Sequence, residues 1–228
     1  MLMRRHHNNH VVLIISICVF IALLFTTCLA DSAFEDARRS AEKGDANTQY
    51  YLGEIYAKGQ GIPRDFTEAL KWFRLAADAG QAEARYSLGW MFFKGLGVSP
   101  DEAEAAKWWR KAAEQNYVLA ETNLGNVYAR GKGVRQDFTE AVKWWRKAAE
   151  RGEPLAQYYL GSAYAVGYGV SKDDVTARAW LSLAARSDEK ARGELAEFDK
   201  NLSIEQKSKA EEMAAKLKAT LSPTTEGQ

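Results

Sequence analysis

The sequence predicts an all-α solenoid of four helix-turn-helix units, because one pattern returns every 36 residues without insertion or deletion. The clearest marker is a Leu-Gly pair, which begins at Leu52, Leu88, Leu124 and Leu160. An Asp and a Trp keep the same spacing, at Asp65, Asp101, Asp137 and Asp173 and at Trp72, Trp108, Trp144 and Trp180. A period of this length is typical of repeat arrays, in which each unit packs on its neighbours.

The first half of each unit has the periodicity of an amphipathic helix. In unit one, Thr48, Leu52 and Ile55 fall at i, i+4 and i+7, on one face of a helix with 3.6 residues per turn. The glycine after each Leu costs about 1 kcal/mol of helix propensity, so we expect it to admit a neighbouring helix at close range. A Gly-x-Gly segment then ends the helix. It lacks the third glycine and the preceding strand of a dinucleotide-binding loop.

The second half of each unit predicts another helix. Asp65 and Glu68 have capping-box spacing, with the Asp accepting from backbone amides and the Glu reaching back. The buried stripe of this helix contains Trp72 and Phe73 and ends in an Ala-Ala pair. In units one to three an Arg two residues after the Trp precedes an acid by four, which predicts the weak exposed ion pairs Arg74–Asp78, Arg110–Glu114 and Arg146–Glu150. We interpret the accompanying basic stripe as a solvated face.

These patterns divide the chain into an ordered series of segments. The four repeats are expected at 45–80, 81–116, 117–152 and 153–188. A short amphipathic helix within 31–44 is expected to cap the first unit, and helices within 189–220 to cap the last, since solenoids need polar-backed ends. One of these caps begins with capping-box spacing at Ser203 and Gln206. Residues 221–228 are expected to form a disordered tail.

The N-terminus has the features of an export signal. Arg4 and Arg5 precede 20 uncharged residues, Val11–Ala30, and a charged segment opens at Asp31. This is typical of a secretory signal peptide cleaved after Ala30, although the stretch also reaches the length of an uncleaved membrane anchor. Both alternatives place the remaining chain outside the cytoplasm, either periplasmic or secreted, or anchored and facing the periplasm. Lipid attachment at Cys28 is disfavoured, because the residues before it match a lipobox poorly.

Removal of residues 1–30 restricts the possible chemistry. It removes all three His and both Cys, and leaves 29 basic and 30 acidic residues with a net charge of −1. This excludes a Ser-His-Asp triad, a Cys nucleophile, a thiolate or imidazole metal site and a disulfide. Nor is there a basic excess for nucleic acid. We therefore predict no catalytic residue, no cofactor and no metal. Carboxylate chemistry stays open as a minor alternative.

The repeat pattern resembles the Sel1-like repeat, a relative of the tetratricopeptide repeat. The resemblance is carried by the Leu-Gly pair, the Gly-x-Gly turn, the Asp and the Trp-aromatic and Ala-Ala pairs over roughly residues 45–188. It implies a right-handed α-solenoid that mediates protein–protein contacts, often in bacterial envelope assembly, signalling or host interaction. One exported, cysteine-rich branch with such units has been linked to β-lactam binding or hydrolysis. The present chain lacks the cysteines that define that branch.

Function is expected where exposed positions differ between units. By analogy with tetratricopeptide arrays, the first helices line a concave groove, which predicts a non-catalytic scaffold for a protein or peptide partner. The predicted partner-binding residues are Tyr50, Glu54, Tyr86, Trp90, Phe93, Asn123, Asn126 and Tyr158. Trp90 and Phe93 are the expected anchors, unless they pack against an adjacent helix instead. The alternative is binding or hydrolysis of a cell-wall component in the same groove. The oligomeric state stays open.

Overall fold

The structure is a computed structural model that describes residues 34–221. The predicted export signal and residues 222–228 of the predicted tail lie outside this range. Within it every regular element is helical. The helices are α1 (34–42), α2 (Ala46–Lys58), α3 (Phe66–Asp78), α4 (Ala82–Lys94), α5 (Glu102–Ala113), α6 (Val118–Arg130), α7 (Phe138–Ala149), α8 (Pro154–Val166), α9 (Asp174–Ala184), α10 (Glu189–Phe198) and α11 (Ile204–Thr220). A short 3₁₀ helix, Asp199–Asn201, connects the last two.

The packing follows the order of the chain. Each helix from α2 to α9 contacts the helix before and the helix after it, and both α10 and α11 pack on α9. The first helices of the four units are α2, α4, α6 and α8, and the second helices are α3, α5, α7 and α9. Their Leu-Gly leucines are fully buried. Among the described helices, none is long and apolar enough to cross a membrane.

The glycine of each Leu-Gly pair is the point where the two helices of a unit meet. A Cβ placed on Gly89 would lie 2.3 Å from the Trp109 ring, and one on Gly125 would lie 2.4 Å from the Trp145 ring. Phe73 occupies the same place against Gly53. No side chain larger than hydrogen fits at such distances. The expected close approach of a neighbouring helix at these glycines is therefore confirmed.

The second helices begin as predicted in one respect and differ in another. The side chains of Asp65, Asp101, Asp137 and Asp173 each accept from backbone amides of the first turn. The predicted reach-back of the following Glu is wrong, because that Glu pairs with the Lys three residues later. Examples are Glu104 with Lys107 at 2.9 Å and Glu140 with Lys143 at 2.6 Å. The only complete capping box in the described range joins Ser203 and Gln206.

The predicted ion pairs of the second-helix arginines are also wrong. No contact within 4 Å joins Arg74, Arg110 or Arg146 to the acid four residues later in the described structure. Each guanidinium turns instead toward an aromatic ring on the first helix of the next unit. Arg146 donates to the Tyr164 hydroxyl at 2.6 Å. An Arg planar group gains more from a ring and a hydroxyl than from an exposed carboxylate, which is why the inter-unit contact wins.

The second glycine of the Gly-x-Gly turn holds successive units together. Gly97, Gly133 and Gly169 all have positive φ and press against the backbone at the start of the preceding second helix. A Cβ on Gly97 would lie 2.4 Å from the Phe66 carbonyl oxygen. Gly61 has positive φ but open space around it, because it belongs to the first unit. Only the later three glycines therefore serve the contact between units.

In three of the four units, the side chain eight residues after a buried Ala of the preceding helix donates a hydrogen bond to that Ala's carbonyl. The bonds are Gln49 Nε2 to Ala41 O (3.0 Å), Arg85 Nε to Ala77 O (3.1 Å) and Gln157 Nε2 to Ala149 O (3.2 Å). These donors satisfy carbonyls at the end of a helix, where an acceptor would otherwise go partly unpaired.

Unit three breaks this pattern with Glu121. This residue is fully buried, although an ionised carboxylate has no proton to donate to a carbonyl. Lys147 Nζ and Arg151 Nη1 approach its oxygens to 3.3 and 3.6 Å. Burial nevertheless raises the pKa of Glu121 above its ordinary value, against the opposing effect of these two cations. Burial therefore disfavours the charged form of Glu121 relative to that of an exposed glutamate.

Both ends of the array are covered by the expected helices. At the start, Phe34, Ala37 and Ala41 of α1 join a cluster with Ile55 and Trp72. At the end, Arg178 takes the position held by buried apolar residues in units two and three. Its guanidinium binds both carboxylate oxygens of Asp199 at 2.7 and 3.2 Å, and also contacts Glu211 at 3.2 Å. An ion-pair network thus attaches the C-terminal caps.

The two kinds of Gly-x-Gly glycine predict different responses to the same substitution. In Gly61→Ala we expect only the backbone strain of a positive φ, about 1–2 kcal/mol. In Gly97→Ala we expect that strain plus displacement of the α3 backbone, a further loss of about 1–3 kcal/mol. Urea unfolding followed by circular dichroism measures both. Equal losses in the two variants would contradict the proposed role of Gly97 in joining the units.

The Glu121 site predicts a stabilising substitution. Because the folded-state pKa is raised, the stability that Glu121 contributes is present at low pH and is lost as pH rises through the folded pKa. Glu121→Gln restores the donor of the other units, so we expect a gain of about 1–2 kcal/mol in unfolding free energy at pH 7. The gain should shrink as pH falls toward 4. The exposed Glu212→Gln is the control, and an equal pH-independent change in both variants would refute the interpretation.

Candidate functional site

The predicted site residues all lie on first helices, and five of the eight fall in two adjoining groups. The ring of Tyr86 on α4 contacts that of Tyr117, which precedes α6, and Tyr50 and Glu54 of α2 lie within electrostatic range of Tyr117; we call these four residues the tyrosine patch. Trp90 and Phe93 of α4 meet Trp109 of α5, and we call these three the tryptophan patch. A hydrogen bond from Trp109 Nε1 to the Tyr86 carbonyl, 3.2 Å long, joins the two patches.

The tyrosine patch places phenols close to carboxylates. The rings of Tyr86 and Tyr117 lie 5.0 Å apart between centroids. Burial raises the pKa of Tyr117 to about 12, with further contributions from Tyr86, Glu83 and Glu54. The pKa of Tyr50 is also raised, by burial first and by Glu54 second. These phenols therefore stay protonated at physiological pH and act as neutral hydrogen-bonding groups.

The tryptophan patch is a half-buried aromatic cluster on a rigid support. The ring of Trp90 meets those of Phe93 and Trp109 edge-on, at centroid distances of 5.6 and 5.9 Å. Trp109 is 2% exposed and packs on Gly89, so it fixes the two outer rings from below. The Lys94 ammonium lies 5.4 Å from the centroid of Trp90 and 5.2 Å from that of Phe93. Trp90 and Phe93 thus pack on a neighbouring helix while keeping part of each ring exposed.

The other predicted residues are placed differently. Asn126 accepts a hydrogen bond from Trp145 Nε1 at 3.1 Å, which commits its side-chain oxygen to the second helix of its own unit. Asn123 is half-buried, and its side chain opposes the rise that burial causes in the pKa of Tyr86. Tyr158 lies apart from both patches, 7% exposed beneath α10, where its hydroxyl donates to Glu194. The C-terminal capping helix α10 therefore covers Tyr158, so its side chain is not available on an open groove surface.

Sequence reasoning missed Tyr117 and the supporting role of Trp109. The positions equivalent to Tyr117 in the other units are Asp45, Gln81 and Glu153, so the variation between units was a usable signal. Trp109 has an equivalent aromatic or apolar residue in every unit, and for that reason it was assigned to the core. Its role in the patch comes from its contacts with Trp90 and Phe93, and a position that is apolar in every unit gives no sign of these contacts.

In residues 34–221 no group of three or more His, Cys, Asp or Glu side chains is placed to hold a metal ion. A cavity between α1, α2 and α3, whose lining includes Arg38 and Trp72, is lined by none of the predicted site residues. What the two patches offer is exposed aromatic surface beside neutral phenols and carboxylates, which suits recognition of another molecule.

Comparison with known proteins agrees with the repeat pattern. The profile of the Sel1 repeat matches four consecutive segments, 46–81, 82–117, 118–153 and 154–189. A comparison with curated protein sequences finds no match.

Two solved structures are similar over most of the chain. One is c5321, a protective antigen of uropathogenic Escherichia coli strains with an SLR fold, at 36% identity and a TM-score of 0.77. The match covers 83% of the present chain but 41% of that protein, so the chain spans about two fifths of its length. The other is a Sel1 repeat protein from Oxalobacter formigenes, at 33% identity and a TM-score of 0.67, with 76% and 74% of the two chains covered.

These comparisons, together with the helical architecture, confirm the predicted right-handed α-solenoid of four repeats with capping helices. Sel1-repeat proteins generally mediate protein–protein interactions and are generally non-catalytic scaffolds. The chain belongs to the Sel1-repeat family.

Proposed function

We propose that this protein is an exported, non-catalytic scaffold that binds a protein or peptide partner on the concave face of its solenoid. The observation that carries the proposal is the tryptophan patch. Residues equivalent to Trp90 in the other units are Glu54, Asn126 and Ser162, and those equivalent to Phe93 are all Ala. Only unit two presents large aromatic rings at these two positions, so fold requirements common to the units do not account for them.

The burial and packing of this patch support the proposal that it is a binding hot spot. Hot spots are enriched in Trp, Tyr and Arg and are held rigid by their surroundings. Trp90 and Phe93 rest on Trp109, which is fixed by Gly89 and by the Tyr86 carbonyl. A rigid aromatic surface loses little conformational entropy when a partner binds. The neighbouring tyrosine patch adds hydroxyl groups that stay neutral, which supports hydrogen bonding to a peptide backbone.

The export part of the proposal rests on the sequence of residues 1–30. We expect the full-length chain, expressed in a bacterial host, to be processed after Ala30 so that the isolated protein begins at Asp31. Intact-mass measurement of the purified protein tests the cleavage site. Protease treatment of spheroplasts tests the compartment, and also detects an uncleaved anchor that faces the periplasm. An intact N-terminus on a protease-protected cytoplasmic protein would contradict export.

The scaffold part predicts that partner capture depends on the tryptophan patch. We expect the protein to capture a partner from envelope extract and the double variant Trp90→Ala, Phe93→Ala to bind that partner at least about tenfold more weakly, because hot-spot truncation costs about 2 kcal/mol or more. Leu75→Ala, an exposed apolar truncation on α3, is the matched control. Circular dichroism verifies that the variants are folded.

The outcomes of the capture experiment separate the two functions. A captured protein that the double variant binds as tightly as the unchanged chain would overturn the proposed site. Sedimentation with purified cell wall and no enriched protein would favour the alternative, binding of a cell-wall component in the same groove.

A further inference from the structure

Glu54 of the tyrosine patch and Glu83, three residues before Tyr86 on α4, carry negative charge that is only weakly compensated within the described part of the chain. The charge of Glu83 contributes to the raised pKa of the Tyr117 phenol, and Glu83 has no ion pair in the described part of the chain. Glu54 pairs only with Lys58, one helical turn away, at 2.9 Å. Both members of that pair are partly exposed, and such pairs are weak and exchange readily. Two carboxylates are therefore open to a positive charge supplied from outside.

The tryptophan patch already holds a cation. The Lys94 ammonium lies over the faces of both Trp90 and Phe93, within the range of a cation–π contact. Lys94 is exposed and forms no ion pair within residues 34–221. Its placement shows that the outer ring faces are accessible and attract a positive group. A long, exposed Lys side chain can also move away at little cost, because it is not held by a carboxylate.

We propose that the partner presents a flexible basic segment to these two patches, an inference that rests on the proposed function. One Arg of the segment displaces Lys94 and stacks on Trp90 and Phe93, since a planar guanidinium stacks on aromatic rings better than an ammonium does. A second basic side chain binds Glu54 and Glu83. The Trp109–Tyr86 hydrogen bond keeps the two patches adjacent, so one short extended segment reaches both.

The test uses three synthetic ten-residue peptides with a common Gly-Ser background and one Leu. They carry two Arg, two Gln or two Glu at the same positions. Calorimetric titration of the full chain at low and physiological salt measures the binding of each. We expect the Arg peptide to bind at least about tenfold more tightly than the Glu peptide, corresponding to about two charge contacts of threefold each, with the difference reduced by salt.

Three variants determine where this preference comes from. Glu54→Gln with Glu83→Gln should weaken binding of the Arg peptide about tenfold, by removing both carboxylates. Glu104→Gln, which removes one carboxylate on the second helix of unit two away from both patches, should leave it unchanged. Lys94→Ala should strengthen binding of the Arg peptide about threefold, because a competing and repelling cation is removed. An acidic partner would give the opposite sign for Lys94→Ala.

Each result either supports or overturns the inference. Equal or tighter binding of the Gln or Glu peptide, weaker binding of the Arg peptide to Lys94→Ala, or no binding of the Arg peptide overturns it. If capture from extract still depends on Trp90 and Phe93 in that case, the scaffold function stands and only the partner's chemistry is wrong. If capture does not depend on them, the scaffold site itself is wrong.

Discussion

The contact between the Leu-Gly glycine and the side chain that packs on it from the following helix sets the geometry of every unit; this side chain is an aromatic ring in units one to three and Leu181 in unit four. At Gly89 and Gly125 the ring of a Trp occupies the volume that a Cβ would need. This distance fixes how the two helices of a unit cross, and the crossing fixes where the Gly-x-Gly turn meets the preceding unit. A change at one glycine would therefore be transmitted to the turn. Because the main packing within the four units joins helices that are neighbours in sequence, with α11 on α9 as the exception at the C-terminal end, the array depends on one local distance used repeatedly.

Unit two and unit three depart from the common pattern in different ways. In unit two the departure is exposed: Trp90 and Phe93 add aromatic surface that the fold does not require. In unit three it is buried: Glu121 stands where the other units have a side-chain hydrogen-bond donor, and its carboxylate has no proton to donate when ionised. A buried group of this kind costs stability, and proteins tolerate such costs within a small total free energy of folding. Both departures lie in the middle of the array, where neighbouring units on each side support them.

The helices, their order and their caps were predictable because they depend on spacing within one unit. Partners across units were less predictable. Arg110 could pair with Glu114 on its own helix, and only the three-dimensional register shows that the ring of Tyr128 is the better partner. The same limit applies to the site. Tyr86 and Tyr117 are 31 residues apart, so their contact cannot be read from local spacing. Tyr158 is covered by α10, whose docking depends on Arg178, and the sequence position of Tyr158 does not reveal this.

The ion-pair network around Arg178 has a consequence for how such a chain can change in length during evolution. An added copy of a 36-residue unit needs an apolar surface to pack on, and α9 presents a guanidinium bound to Asp199 and Glu211 instead. Insertion after α9 would break this network and bury its charges. Duplication within units one to three meets no such barrier, because those units present apolar residues at the equivalent position. Growth or loss of repeats is therefore expected upstream of the last unit, with the C-terminal segment retained as a fixed end.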